Sequence, residues 1–235
     1  AGRHIPRPVI EVDVFERVLA SVALVTPTGA TELVTLRGST TAHVYFEGPA
    51  EGDASDDDGD GLDEVPTELV AMDLTGDSPF GPLTVRLNPA LRSTGEIEET
   101  ENLAPGRLDL PPFSAMGTAD SFFDVFFEVE VGGLVLHTVD PKRMSSRITH
   151  KPPAPGDVFA NAERTELFDE NGKPTGFFLG TGRHVPQPVV EVDVFHDAYA
   201  AVELVTPTGA TELLALRGST TVWVYLAGPA GGDAP

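Results

Sequence analysis

Short stretches of alternating apolar and polar residues recur along the chain and predict β-strands. The first, Val9 to Phe15 (VIEVDVF), alternates apolar and acidic side chains, as expected for a strand with two different faces. Val22 to Val25 leads through the turn sequence Pro27-Thr28-Gly29 into Glu32 to Leu36, which predicts a hairpin. Thr41 to Phe46 completes a small meander of strands.

The middle of the chain adds further strand-like stretches that are joined by glycine turns. Phe122 to Val131 meets Leu134 to His137 across Gly132-Gly133, and Asn171-Gly172 separates another pair of short apolar runs. Both dipeptides are typical of two-residue hairpin turns. The helical signal is weak, and only Arg143 to His150 predicts about one helical turn.

The beginning of the chain returns near its end. Gly2 to Ala54 aligns with Gly182 to Ala234 without a gap at an offset of 180, and 37 of the 53 aligned positions are identical. Self-similarity of this kind predicts a tandem array, here with a period of 180 residues. We predict a strand meander at 1–54, a central β-sandwich segment at 55–181 and a second copy of the meander at 182–235.

Many short strands joined by glycine and proline predict an all-β fold, and the long proline-rich connections favour an Ig-like or Greek-key β-sandwich as the repeat unit. Charge restricts the partners: 37 acidic residues stand against 15 Lys and Arg, giving a net charge of −22. Such a surface repels nucleic acid phosphates. No apolar run approaches the roughly 18 residues needed to span a bilayer, so no membrane insertion is expected in this segment.

An Asp-rich loop is the sharpest local motif. In Asp56 to Glu68 (DDDGDGLDEVPTE), acids at alternate positions precede Gly61. Calcium prefers six to eight oxygen ligands in a flexible loop, so Ca²⁺ is the predicted cofactor. The predicted ligands are Asp56, Asp58, Asp60, the backbone carbonyl of Leu62, Asp63, Glu64 and Glu68. Thr67 occupies the place of the closing glutamate of an EF-hand, which argues against that motif, and an acidic linker without an ion is the alternative.

Catalytic residues are not recognisable in the sequence. The absence of cysteine excludes a thiolate nucleophile, and the six histidines form no HExxH motif. Ser121 lacks the surroundings of a nucleophile elbow. Asp124 and Glu128 alternate with phenylalanines, which predicts solvent-facing positions and argues against a glycosidase pair. We therefore predict that the chain is not an enzyme.

Two phenylalanine doublets, Phe122-Phe123 and Phe126-Phe127, cannot all point to one face of a strand. One set is expected to fill the core. The other set is expected at an interface between repeats, under a covering loop or in a sugar-stacking groove.

Three segments, GDGLDEVPTELVAMDLTG, GTADSFFDVFFEVEV and PKRMSSRITHKPPAPGD, resemble repeat units of large secreted or cell-surface bacterial proteins. The Asp-rich loop resembles the calcium loops of thrombospondin type 3 repeats. These resemblances imply an extracellular or cell-surface location and neighbouring copies of the repeat as partners. The resulting hypothesis is a structural repeat of a fibre, stalk or surface layer, rigidified by calcium; the alternative is an adhesin or carbohydrate-binding module for a glycan or surface ligand.

Overall fold

The computed structural model describes residues 10–154, 156–186, 190–205 and 211–225. These residues form β-strands and connections and contain no helix, which confirms the all-β prediction. In chain order the strands are β1 (Ile10–Val25), β2 (Thr31–Tyr45), β3 (Glu64–Ser78), β4 (Gly81–Leu87), β5 (Ser93–Glu99), β6 (Ala119–Val125), β7 (Phe127–Val131), β8 (Leu134–His137), β9 (Lys142–Ile148), β10 (Phe159–Asn161), β11 (Thr165–Phe168), β12 (Pro174–Val185), β13 (Val190–Val205) and β14 (Thr211–Tyr225).

The strands form one continuous antiparallel sheet that closes on itself. Pairing of β1 with β12 and of β3 with β5 completes a ring of eight strands in the order β1-β2-β3-β5-β6-β9-β10-β12. Strands β4, β7, β8 and β11 complete a second ring with the same long strands β1, β2, β3 and β12. The finer prediction of an Ig-like or Greek-key sandwich is therefore not confirmed, and the architecture is that of a barrel.

The long strands hold the two rings end to end. Residues 64–69 of β3 pair with β5, and residues 73–78 of the same strand pair with β4. Likewise, residues 182–184 of β12 pair with β10, while residues 177–179 pair with β11. One cluster of buried apolar side chains runs through both rings, because the shared strands contribute inward-facing side chains to each ring.

Local patterns located most strands but not their lengths. The predicted stretch Val22 to Val25 and the described part of the stretch Val9 to Phe15, from Ile10 onward, belong to one strand, β1, whose register shifts between Phe15 and Val18. Val9 lies outside the described residues. The helical turn predicted at Arg143 to His150 is wrong, because Lys142–Ile148 is a strand that pairs with β6 and β10. The hairpin predicted at Gly132-Gly133 is confirmed, and both glycines have positive φ, as a type I′ turn requires.

The second copy of the meander forms the hairpin β13–β14, with the register of β1–β2 repeated pair by pair. Strand β13 lies beside β1, with Ile10 opposite Val194, Val12 opposite Val192 and Val14 opposite Val190. At the offset of 180, Val192 is the equivalent of Val12, and Val194 and Val190 are the equivalents of Val14 and Ile10. The pairing is therefore symmetric, and a local two-fold axis relates the two strands about the pair Val12 and Val192. The division of the chain at residues 54 and 181 stays a prediction.

Candidate functional site

A cavity lies inside the ring of eight strands and has an almost wholly apolar wall. It contains about 90 Å³ of free space, against the 10–15 Å³ or so that a single water molecule needs. Side chains of β1, β2, β3, β6, β9 and β12 form the wall, among them Ala20, Ala42, Met72, Phe123, Met144 and Leu179. The barrel interior is thus not filled completely by its own side chains, and the remaining space suits an apolar group.

The two phenylalanine doublets divide where the chain passes from one ring to the other. Phe123 and Phe127 line the cavity, so this set belongs to the interior as expected. Phe122 faces outward, where the guanidinium of Arg143 lies 3.9 Å from its ring centroid. The same guanidinium pairs with Asp124, so one face of the Phe122 ring is covered by an ion-paired arginine.

Lys142 is the first of the few polar groups on the cavity wall. Its residue is only 3 % exposed, and its ammonium donates hydrogen bonds to Asn161 Oδ1 at 2.7 Å and to the backbone carbonyl of Glu163. Burial lowers the pKa of Lys142 to about 8, and the nearby Glu163 carboxylate opposes this shift only in part.

His184 is the second polar group. The residue is half-buried, but its ring is enclosed at the cavity wall between Thr40, whose Oγ1 lies 3.3 Å from His184 Nε2, and the ring of Phe159. Burial lowers the pKa of His184 to about 4, so the imidazole is neutral at physiological pH. A neutral ring can accept a proton from a bound molecule or share a hydrogen bond with it.

Asp13 is the third polar group, and it belongs to a buried cluster of charges. Glu11 and Asp13 point into the barrel, and Lys151 donates hydrogen bonds to both carboxylates, with 2.6 Å between Nζ and Asp13 Oδ2. All three side chains are at most 3 % exposed. Burial by itself lowers the pKa of Lys151, but the two carboxylates outweigh it and hold the pKa above its usual value.

Sequence reasoning missed Lys142, His184 and Asp13 as site residues. The alternation in VIEVDVF correctly predicted a two-faced strand, but its acids lie on the inner face because Lys151 neutralises them there. One signal was available: the chain has only three lysines, and Lys142 and Lys151 are two of them. A rare lysine in an acidic chain has many possible surface partners, so its burial could not be deduced from the sequence.

The structure brings together part of the predicted calcium site. Carboxylate oxygens of Asp56, Asp58 and Asp60 lie within 4.8 Å of one another, and all three residues are exposed. Asp56 also accepts hydrogen bonds from the backbone N–H groups of Gly59 and Gly61, which shapes the loop.

The remaining predicted ligands have other contacts. Asp63 is buried and accepts hydrogen bonds from the backbone of Gly106 and Arg107, while Glu68 pairs with Arg92. Glu64 accepts a hydrogen bond from the backbone of Asp57, and burial raises the pKa of its carboxyl group. The amide N–H of Leu62 bonds Asp60. Calcium binding by this loop stays a prediction.

The fold and the cavity define the chain as an all-β barrel with an internal apolar site. Its architecture is similar to that of DynF from the dynemicin biosynthesis pathway of Micromonospora chersina, with a TM-score of 0.54 and 19% sequence identity over 79% of this chain and 89% of DynF. This likeness shows the fold. No family model and no curated protein matches the chain.

The likeness corrects one prediction from the sequence. We expected no enzyme because no catalytic set was recognisable, but the barrel is shared with a protein of a biosynthetic pathway. The prediction is wrong because it rested on linear motifs, whereas the polar groups of this cavity come from β1, β9 and β12, far apart in sequence.

No helix in the described part of the chain is long and apolar enough to cross a membrane.

The pKa of Lys142 predicts a rise in stability with pH. The folded protein binds the Lys142 proton less tightly than the unfolded chain, whose pKa is near 10.5, so the unfolded state holds more protons above pH 8. The free energy of unfolding should therefore rise by about 2 kcal/mol between pH 7 and about pH 9.5. Denaturant titrations at several pH values measure this, and the Lys142→Met variant should lack this part of the rise. An identical pH profile in both proteins would contradict it.

Proposed function

We propose that the chain is an enzyme of small-molecule biosynthesis that binds an apolar molecule inside its barrel. The observation that carries the proposal is the internal cavity, whose wall is apolar except for a few polar groups. Sites of this kind gain affinity from buried apolar area and obtain orientation from a small number of polar contacts. The biosynthetic pathway to which DynF belongs supports a small molecule as the ligand.

Lys142 is the residue best suited to act on the bound molecule. With a pKa of about 8 it changes protonation close to neutral pH, which suits a group that donates or accepts a proton. Asn161 and the Glu163 carbonyl hold its amine in place, so its position is fixed before a ligand enters. His184 offers a second, neutral acceptor on the same wall.

Binding of 2-methylnaphthalene, an uncharged apolar ligand, tests the proposal. We expect saturable binding by the full chain in isothermal titration calorimetry. Ala42 lies on the cavity wall and is 3 % exposed, so Ala42→Phe should fill the space and raise the dissociation constant at least about tenfold.

The repeat supplies a matched control for this variant. Val222 is the equivalent of Ala42 in the second copy, and it is 41 % exposed on β14. Val222→Phe should leave binding unchanged. Circular dichroism establishes that both variants are folded; if Ala42→Phe proves unfolded, the smaller change Ala42→Leu takes its place. Unchanged binding by a folded cavity variant would overturn the proposal.

The sequence-based hypotheses of a structural repeat and of an adhesin stay predictions. A fibre or stalk does not require an apolar cavity inside its unit, because its repeats gain stability from contacts between neighbours. For this reason the cavity favours small-molecule chemistry as the function of the unit.

A further inference from the structure

The carboxylate of Asp13 is only half satisfied. Its Oδ2 accepts a hydrogen bond from Lys151, but its Oδ1 is buried and has no hydrogen-bond partner among the described residues. Asp13 is 2 % exposed and lies on the cavity wall. Asp13 therefore combines a place on the cavity wall with one carboxylate oxygen that lacks a hydrogen-bond partner among the described residues.

An unpaired buried oxygen of this kind is costly. A buried acceptor without a partner loses the hydrogen bonds of water and gains none in return, at a cost of roughly 1–3 kcal/mol and more when it is charged. Lys151 Nζ is bonded to Oδ2 and to Glu11, and it makes no hydrogen bond to Oδ1. The neighbouring wall is apolar, with Phe15 and Ala42 nearby in the pairing of β1 and β2.

We infer that the molecule bound in the cavity carries a hydrogen-bond donor, a hydroxyl or an amino group, and that Oδ1 of Asp13 accepts it. The inference rests on the proposed function, because it assigns the polar end of the same ligand. The apolar part of the ligand fills the cavity, and its donor group supplies the hydrogen bond that Oδ1 lacks. A hydrogen bond to a charged acceptor in an apolar site is stronger than one between neutral groups, so it selects ligands with a donor at this end.

Among the described residues that line the cavity, Asp13 carries the one carboxylate, and the other acceptors, Ser21, Thr40, Ser121 and the neutral ring of His184, are uncharged. The ammonium of Lys142 only donates, and it is engaged with Asn161 and Glu163. His184 and Thr40 face each other at 3.3 Å, which occupies Nε2 of the ring. Asp13 is therefore the acceptor that discriminates a donor-bearing ligand from one of the same shape without a donor.

Two ligands of nearly equal size test the inference. 2-Naphthol carries a hydroxyl group where 2-methylnaphthalene carries a methyl group. Calorimetry gives the ratio of their dissociation constants in the wild-type chain and in Asp13→Asn, which keeps the shape of the side chain and removes its charge. We expect the preference for 2-naphthol relative to 2-methylnaphthalene to fall at least about tenfold in Asp13→Asn.

Asp120→Asn is the control, because it makes the same chemical change in an exposed carboxylate outside the cavity and should leave the ratio unchanged. If Asp13→Asn unfolds, binding of 2-methoxynaphthalene by the wild-type chain takes its place; this ligand has a methyl group in place of the hydroxyl hydrogen, and binding as tight as that of 2-naphthol would overturn the inference. A ratio that stays the same in a folded Asp13→Asn variant would overturn the inference while leaving the proposed function intact. Failure of both ligands to bind the wild-type chain would instead overturn the proposed function.

Discussion

Lys151→Met should lower the free energy of unfolding by about 3–5 kcal/mol, the largest effect expected of a single side chain here. Lys151 is fully buried and donates hydrogen bonds to Glu11 and Asp13, which are also buried. Removing the ammonium leaves two carboxylates close together inside the barrel with neither water nor this cation to stabilise them. Chemical denaturation followed by far-UV circular dichroism measures the loss.

Arg147→Gln is the matched control for this prediction. Arg147 forms a comparable pair with Asp120 at 2.9 Å, but both side chains are more than half exposed. Exposed pairs contribute little, so this variant should unfold at nearly the same denaturant concentration as the wild-type chain. Adding Glu11→Gln and Asp13→Asn to Lys151→Met should restore part of the stability, because it removes the two buried negative charges that Lys151 balanced. A loss below about 1 kcal/mol for Lys151→Met itself would show that water reaches the cluster.

Gly38→Ala should destabilise the protein by at least about 3 kcal/mol, whereas Gly218→Ala should change its stability by less than about 1 kcal/mol. Both glycines occupy the same place in the repeated sequence LRGSTT. A Cβ at Gly38 would overlap the backbone carbonyl of Asp73, because β3 lies directly against β2 at this point. Around Gly218 the described residues leave nothing within 4 Å of such a Cβ.

Thermal or denaturant unfolding of the two variants therefore compares one substitution in two copies of one sequence. The repeat removes differences in local propensity, so the difference measures the tertiary contact alone. Equal losses in both variants would show that β14 is paired with a further strand in solution. Equal stability of both would show that β2 and β3 separate easily at Gly38.

Most strands of the fold follow from local patterns. The alternation in Phe122 to Val131 and the glycines at 132 and 133 determine a hairpin because side-chain direction and turn conformation depend only on neighbouring residues. Strands β5 and β10 were not predicted, because β5 (STGEIEE) is mostly polar and β10 (FAN) has only three residues. Pairing with β3 and β12, and not their own pattern, makes them strands.

The candidate site was much less accessible to prediction. The Asp-rich loop was conspicuous because its acids are adjacent in sequence, and the structure does gather Asp56, Asp58 and Asp60. The groups of the cavity carry no such signal, since Asp13, Lys142 and His184 look like ordinary residues of an acidic β protein. Their significance depends on burial, which determines the pKa values of Lys142 and His184.

By itself, the sequence determined the all-β class, the repeat and the turns, because hydrophobic period, turn chemistry and self-similarity are properties of neighbouring or aligned residues. Only the tertiary structure decided that the sheet closes into a barrel and that Glu11 and Asp13 face its interior. The physical reason is that a buried charge is tolerated only with a partner, and the partner of Asp13 lies 138 residues away in the chain. The empty space inside the barrel arises in the same way, from side chains that meet only after the sheet has closed.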